Sequence, residues 1–218
     1  MSEPQFSRLR QRMVDEQLRS RDIYDLLTLE AMGRVPRERF VRSADEARAY
    51  DDHAMSIGHG QTISQPYMVA LMTQCLELTG TEKVLEVGTG SGYQAAVLAE
   101  IGGQVYTIER VRELAERAER LLSGLGYGNV HFRVGDGTLG RPEESPYDRI
   151  IVTAGAPAVP DPLTEQLASP GVLVIPVGEE YVQSLLQIKK DEAGTLRRRH
   201  ICDCVFVKLI GEEGWRVQ

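Results

Sequence analysis

The residues best suited to hold a ligand lie in one short stretch. Val84-Leu85-Glu86-Val87-Gly88-Thr89-Gly90-Ser91-Gly92 is an apolar run that ends in a turn with glycine at every second position. Such a turn brings backbone close to a ligand, because a Cβ there collides with the ligand or forbids the φ values required. A dinucleotide fingerprint, G-x-G-x-x-G, needs its third glycine at position 93. That residue is Tyr93, and the third glycine is Gly92, so the spacing disfavours a dinucleotide. No Lys-Ser/Thr pair follows, which disfavours a triphosphate loop. Glu109 closes the run Val105-Tyr106-Thr107-Ile108, about 20 residues beyond the turn, where a carboxylate accepts hydrogen bonds from both ribose hydroxyls. Asp136 stands between Gly135 and Gly137 after a third apolar run, suited to an adenine amino group with small residues beside the ring. Glu86, Gly88, Thr89, Gly90, Ser91, Gly92, Glu109, Asp136 and Gly137 together read as a nucleoside-cofactor site.

The residues that position this site follow from the pattern around it. Before residue 80, Phe6, Leu9, Met13, Leu18 and then Ile23, Leu26, Leu27 and Met32 recur at helical spacing, so two or three short helices are expected. Asp51 to Gln65 is rich in Gly, His and Ser and reads as a loop. Pro66 fits a first helical position, so a helix is expected toward Leu78, with Ser64 able to cap it. From Lys83, short apolar runs alternate with helical segments through Val172-Leu173-Val174-Ile175, the pattern of a parallel sheet covered on both faces. Ser184–Lys189 and His200–Leu209, flanking a turn at Gly194, are expected to form an edge hairpin. The expected fold is α/β, a doubly wound, mainly parallel Rossmann-like sheet with an antiparallel C-terminal hairpin and N-terminal helices. One domain is expected over residues 1–218, with 1–79 packed on an 80–218 core.

Composition excludes several classes. A net charge of -7 and a pI of about 5.2 argue against nucleic acid as partner. The basic run Arg197 to His200 reads as a solvated strand entrance. Cys75, Cys202 and Cys204 form no disulfide framework, and the four histidines lack metal-ligand spacing, so no metal is expected. No run approaches the roughly 20 apolar residues of a membrane helix, and Met1–Arg12 is polar where a signal peptide is apolar. A cytoplasmic protein with no membrane partner is the expectation.

Glu86 followed by the three glycines resembles the strand-Glu/Asp-x-Gly-x-Gly-x-Gly arrangement of class I methyltransferases, which implies S-adenosylmethionine as cofactor and S-adenosylhomocysteine as product. A longer resemblance runs through Val35-Pro36-Arg37-Glu38 with Phe40-Val41, Tyr50-Asp51-Asp52, Gly60 to Pro66, Leu85 to Gln94, Gly135-Asp136-Gly137, Pro146 to Ile150, Thr153 to Ala156, Pro176-Val177-Gly178 and Gly211 to Trp215. In these the chain is similar to the protein-L-isoaspartate O-methyltransferases, and Gly60-Gln61-Thr62-Ile63-Ser64-Gln65-Pro66 is the most specific part. The resemblance implies that Gln61, Thr62, Ile63 and Ser64 lie between cofactor and substrate and that Ser64 is the catalytic residue. It also implies isoaspartyl-containing proteins and peptides as partners, with repair through a succinimide. Arg42, Val172 and Lys208 depart from the family pattern, and the Gly214-Trp215 end is a candidate cover for the cleft. A class I methyltransferase acting on a small molecule or RNA is the alternative. No catalytic triad or carboxylate pair is found, and none is required: a carboxylate with pKa near 4 is already a nucleophile at pH 7.

Overall fold

The computed structural model describes residues 1–216. Helix α1 (Glu3–Arg12) runs on into a wider π-helical stretch at Met13–Arg19. Helix α2 (Leu26–Arg34) begins where the Asp25 carboxylate accepts from the Thr28 amide at 2.8 Å, satisfying one of the free N–H groups of its first turn. Phe6, Met13, Leu18, Leu29 and Met32 are buried, so these helices pack inward along one apolar side. Two 3-10 turns, Arg37–Phe40 and Ser43–Arg48, follow.

The stretch expected to be a loop is a β-hairpin. Strand β1 (Met55–Gly58) pairs antiparallel with β2 (Gln61–Ile63). His59 and Gly60 sit at φ 53° and 69°, both positive, as tight hairpin turns prefer. Met55, Ile57 and Ile63 are buried and Ser56 and Thr62 exposed, an alternation too short to stand out among the polar residues around it. Helix α3 (Pro66–Cys75) starts at the proline as expected but stops short of Leu78. Glu77 adopts φ 54°, the left-handed conformation that ends helices.

The core then alternates: β3 (Lys83–Val87), α4 (Tyr93–Ala99), β4 (Gln104–Glu109), α5 (Arg112–Gly124), β5 (Val130–Val134), β6 (Tyr147–Val152), α6 (Asp161–Glu165), β7 (Leu167–Glu179), β8 (Val182–Lys190) and β9 (Leu196–Cys204). The seven strands lie in the order β5-β4-β3-β6-β7-β8-β9, parallel from β5 to β7 and antiparallel thereafter. Successive residues feed opposite faces. Val84, Ile151 and Val174 join the cluster built with α3, α4 and the N-terminal helices, while Leu85, Val87, Ile150, Val152 and Leu173 join a second cluster with Leu163 of α6. Each such fully buried aliphatic side chain contributes about 1.5–3 kcal/mol.

The expected C-terminal hairpin is present, but β9 ends at Cys204 rather than Leu209. Beyond it the chain leaves the sheet edge and crosses to Gly155, whose amide donates to the Val207 carbonyl and whose carbonyl accepts from the Leu209 amide, both at 2.8 Å. Because β4 and β5 lie on one side of β3 and β6 on the other, the strand order reverses at the carboxyl ends of β3 and β6. That is the crevice where open α/β sheets bind ligands.

Candidate active site

The glycine turn leaves the carboxyl end of β3 into this crevice. Its first amide, Gly88, donates to the Ile108 carbonyl of β4 at 2.9 Å, and Thr153, at the end of β6, donates from Oγ1 to the Gly88 carbonyl at 2.7 Å. The loop is thus stitched to both neighbouring strands. Gly88, Gly90 and Gly92 have φ of 101°, 52° and 86°, which explains the glycines by conformation. At two of these glycines the chain itself also leaves no room for a side chain. A Cβ on Gly88 would run into the Thr153 hydroxyl, and one on Gly92 would come within 2.6 Å of Leu122 Cδ1 on α5, so the collisions are with the chain itself.

Two acids support the loop. Glu109, at the end of β4, accepts from the Gly90 amide at 2.9 Å through Oε2 and from the Val111 amide at 2.9 Å through Oε1. Glu86 lies opposite Thr107 across the β3–β4 ladder and is fully buried. Thr107 Oγ1 donates to Glu86 Oε2 at 2.5 Å, and the Thr89 hydroxyl lies 2.6 Å from Thr107 Oγ1. Glu86 Oε1 has no partner among the described residues. Burial pushes the Glu86 carboxyl up to about 8; the Thr107 hydrogen bond opposes this and the nearby Glu109 charge adds to it. Glu86 therefore steadies the loop from beneath, through Thr107 and Thr89, and does not line the cleft.

Asp136 is more committed than its sequence position suggests. Its Oδ1 accepts from the Thr138 amide at 2.9 Å and the Thr138 hydroxyl at 2.7 Å, and its Oδ2 accepts from the Glu212 amide at 2.8 Å. The C-terminal segment is fastened here: Trp215 Nε1 donates to the Gly155 carbonyl at 3.0 Å, and Lys208 lies over the indole. Lys208 also pairs with Glu180 at 2.9 Å, Arg42 with Asp45 at 2.9 Å, and Val172 is buried in β7, so each departure from the family pattern has a local role.

A cleft opens over the loop, lined by Gln61, Thr62, Gly88, Gly90, Glu109 and Gly137, with Ile108, Arg110, Thr153 and the 207–210 segment on its walls. A second cleft shares Thr62, Gly88, Gly90 and Thr153 with it and adds Ile63, Ser64, Thr89, Ser91, Tyr93 and Gln94. The β1–β2 hairpin forms the wall opposite the loop, held by Arg117 Nη2, which donates to the Ile57 carbonyl at 3.1 Å. Ser64 does not cap α3. The cap residue is Gln65, and the Asp52 carboxylate takes the Tyr67 amide at 3.4 Å, so the helix end already faces an acid. The Ser64 hydroxyl makes no hydrogen bond among the described residues, which leaves it free at the cleft.

Of the residues expected at the site, Gln61, Thr62, Ile63, Ser64, Gly88, Thr89, Gly90, Ser91, Glu109 and Gly137 line these clefts, whereas Glu86, Gly92 and Asp136 stand behind them. Sequence reasoning gave no role to Thr107, Thr153, Tyr93 or Arg37. A threonine at the centre of the apolar strand Val105-Tyr106-Thr107-Ile108 was a usable signal, because a buried hydroxyl needs a partner. Among the described residues no group of His, Cys, Asp or Glu is placed to hold a metal, and no helix is long and apolar enough to cross a membrane.

Residues 8–214 match the family model described as protein-L-isoaspartate(D-aspartate) O-methyltransferase. A protein-L-isoaspartate O-methyltransferase of Geobacter metallireducens is 57% identical over 210 residues, covering 96% of this chain and 97% of that protein. One from Syntrophus aciditrophicus is 53% identical over 212 residues, covering 96% and 97%. A solved protein-L-isoaspartate O-methyltransferase superposes with a TM-score of 0.84 at 31% identity, over 94% of this chain and 67% of that one. A Plasmodium falciparum structure given the same name, in complex with S-adenosyl-L-homocysteine, superposes at 0.77 with 26% identity, over 92% and 98%. Matched by the family model over nearly its whole length and more than half identical to the Geobacter metallireducens and Syntrophus aciditrophicus proteins, the chain belongs to the protein-L-isoaspartate O-methyltransferase family.

Proposed function

We infer that S-adenosylmethionine binds in the cleft over the glycine loop, and that this chain methylates the free α-carboxylate of L-isoaspartyl residues in damaged proteins and peptides. The residues present fit that cofactor. The cleft over the loop is lined by backbone of the glycine turn, by apolar Val87 and Ile108 and by an acid held by loop amides, a mix of apolar wall and few placed polar groups that suits a small-molecule site. Glu109 would hold the ribose, with Gly137 and Ile108 beside the base and Asp136 behind them, tying Thr138 to the C-terminal segment. Gln61, Thr62, Thr89 and Ser91 would enclose the amino-acid end. Bound there, the cofactor supplies an electrophilic methyl group on a sulfonium sulfur.

The chain's own part is to orient and to exclude water. Ser64, on the hairpin side, donates its hydroxyl to the acceptor carboxylate and holds it for in-line attack; it removes no proton, because the carboxylate is already ionised. Ile63, Tyr93 and Met72 line the same space and limit solvation of the anion. The methyl ester product then closes to a succinimide without help, and hydrolysis returns part of it as normal aspartate.

The observation that carries this reading is that Ser64 and the glycine loop line one continuous space while the Ser64 hydroxyl serves no capping role. Ser64→Ala is expected to lower the methylation rate on an isoaspartyl peptide by about tenfold or more while S-adenosylhomocysteine affinity stays within about twofold. An undiminished rate overturns the assignment of Ser64.

A further inference from the structure

Arg37 is fully buried, yet its partners among the described residues are two carbonyls and a ring face, not a carboxylate. Nε donates to the Ala49 carbonyl at 2.7 Å and Nη2 to the Ser64 carbonyl at 2.7 Å. The guanidinium carbon lies 4.7 Å from the centroid of the Tyr93 ring. Nη1 is buried without a partner among the described residues. Taking an arginine out of water without a direct ion pair is costly even with the Asp52 charge in the neighbourhood, so a merely structural site would more easily hold a neutral side chain. Burial correspondingly pulls its pKa down.

The two carbonyls explain what the side chain does. Ala49 lies before the segment Tyr50–Ala54 that leads into β1, and Ser64 directly follows β2, so a single rigid fork ties together the chain on either side of the hairpin. The downstream carbonyl belongs to Ser64 itself. On its other side the guanidinium faces Tyr93, which lines the same cleft as Ser64. A positive charge buried behind Ser64 also favours an anion in front of it, in surroundings where charges are weakly screened.

We propose that Arg37 is a positioning residue for methyl transfer: it fixes the Ser64 backbone against Ala49 and Tyr93 and biases the acceptor side of the cleft toward a carboxylate. The proposal rests on the assignment of Ser64 as the residue that orients the acceptor. It concerns the acceptor alone, so the methyl-donor side should be spared.

Arg37→Met, Arg37→Lys, Ser64→Ala and the Arg37→Met/Ser64→Ala pair are compared for kcat and KM on an isoaspartyl peptide and for S-adenosylhomocysteine affinity by calorimetry. Arg37→Met is expected to lose about 100-fold in kcat/KM, the scale of a small misplacement of a reacting group, with affinity for S-adenosylhomocysteine within about twofold. Arg37→Lys keeps the charge but not the fork and is expected to lose about tenfold; it decides the question alone if the methionine variant does not fold. The double variant should fall no further than the worse single one, as residues acting as a unit do. Unchanged kcat/KM in the arginine variants, an equal loss of S-adenosylhomocysteine affinity, or multiplicative losses in the double variant each overturn the proposal. An undiminished Ser64→Ala overturns the underlying Ser64 reading instead, and is seen without any arginine variant.

Discussion

Glu109 on β4 accepts a hydrogen bond from the Gly90 amide of the glycine loop at 2.9 Å, so the acid proposed to hold the ribose and the loop form one unit. Its second oxygen is anchored by Val111 at the entrance to α5. Glu109→Ala removes both anchors and the proposed ribose acceptor. S-adenosylhomocysteine affinity, measured by calorimetry, is expected to fall by about 1.5–3 kcal/mol, the worth of hydrogen bonds to a charged group. An affinity within twofold of the parent would show that the loop holds its shape without the acid.

Glu86 sets a pH dependence on stability. Its carboxyl titrates near 4.5 in the unfolded chain and at about 8 in the fold. Between those values the folded state keeps a proton that the unfolded state has released, so Glu86 stabilises the fold less and less as pH rises through that window. The slope reaches about 1.4 kcal/mol per pH unit for one proton. Glu86→Gln cannot titrate. The Tm difference between Glu86→Gln and the parent, without ligand, is expected to grow in favour of the variant from pH 5 to pH 8.5. A constant difference over that range contradicts a raised carboxyl.

Gly92 is constrained by both its backbone and its packing against α5. Gly92→Ala must place a Cβ at φ 86° and against Leu122 Cδ1, and is expected to destabilise by about 2–4 kcal/mol in denaturant unfolding. Adding Leu122→Ala should relieve the contact but not the backbone, so the double variant should cost less than the two single changes together. Strict additivity would remove α5 packing as a reason for the glycine.

Trp215 is the one tryptophan of the chain, and its indole N–H donates to Gly155, next to the cleft-lining Ala154. Intrinsic fluorescence is therefore expected to change on titration with S-adenosylhomocysteine. Trp215→Phe should abolish the signal and weaken affinity severalfold, because the segment that also holds Asp136 through Glu212 loses its anchor. A titration with no fluorescence change contradicts the coupling of this segment to the cleft.

The sheet was legible because parallel strands buried on both faces read as apolar runs, and the cofactor loop because positive φ leaves glycine as its signature. What escaped was set by distant contacts. The hairpin at 55–63 was hidden because Ser56, His59, Gln61 and Thr62 interrupt its few apolar residues, Gln61 and Thr62 of them lining the cleft. Asp136 was read as a free adenine acceptor, but Glu212 lies 76 residues away and its hold on the carboxylate leaves no local trace. Arg37 was invisible for the same reason: an arginine beside Val35-Pro36 marks a break in a helix, and only the fold carries it beneath Ser64, 27 residues on.

The central claim is tested most directly with matched peptides that differ only in carrying an L-isoaspartyl or a normal aspartyl residue, each offered with methyl-labelled S-adenosylmethionine. Base-labile label is expected on the isoaspartyl peptide alone. Equal label on both, or on neither, contradicts the proposed reaction.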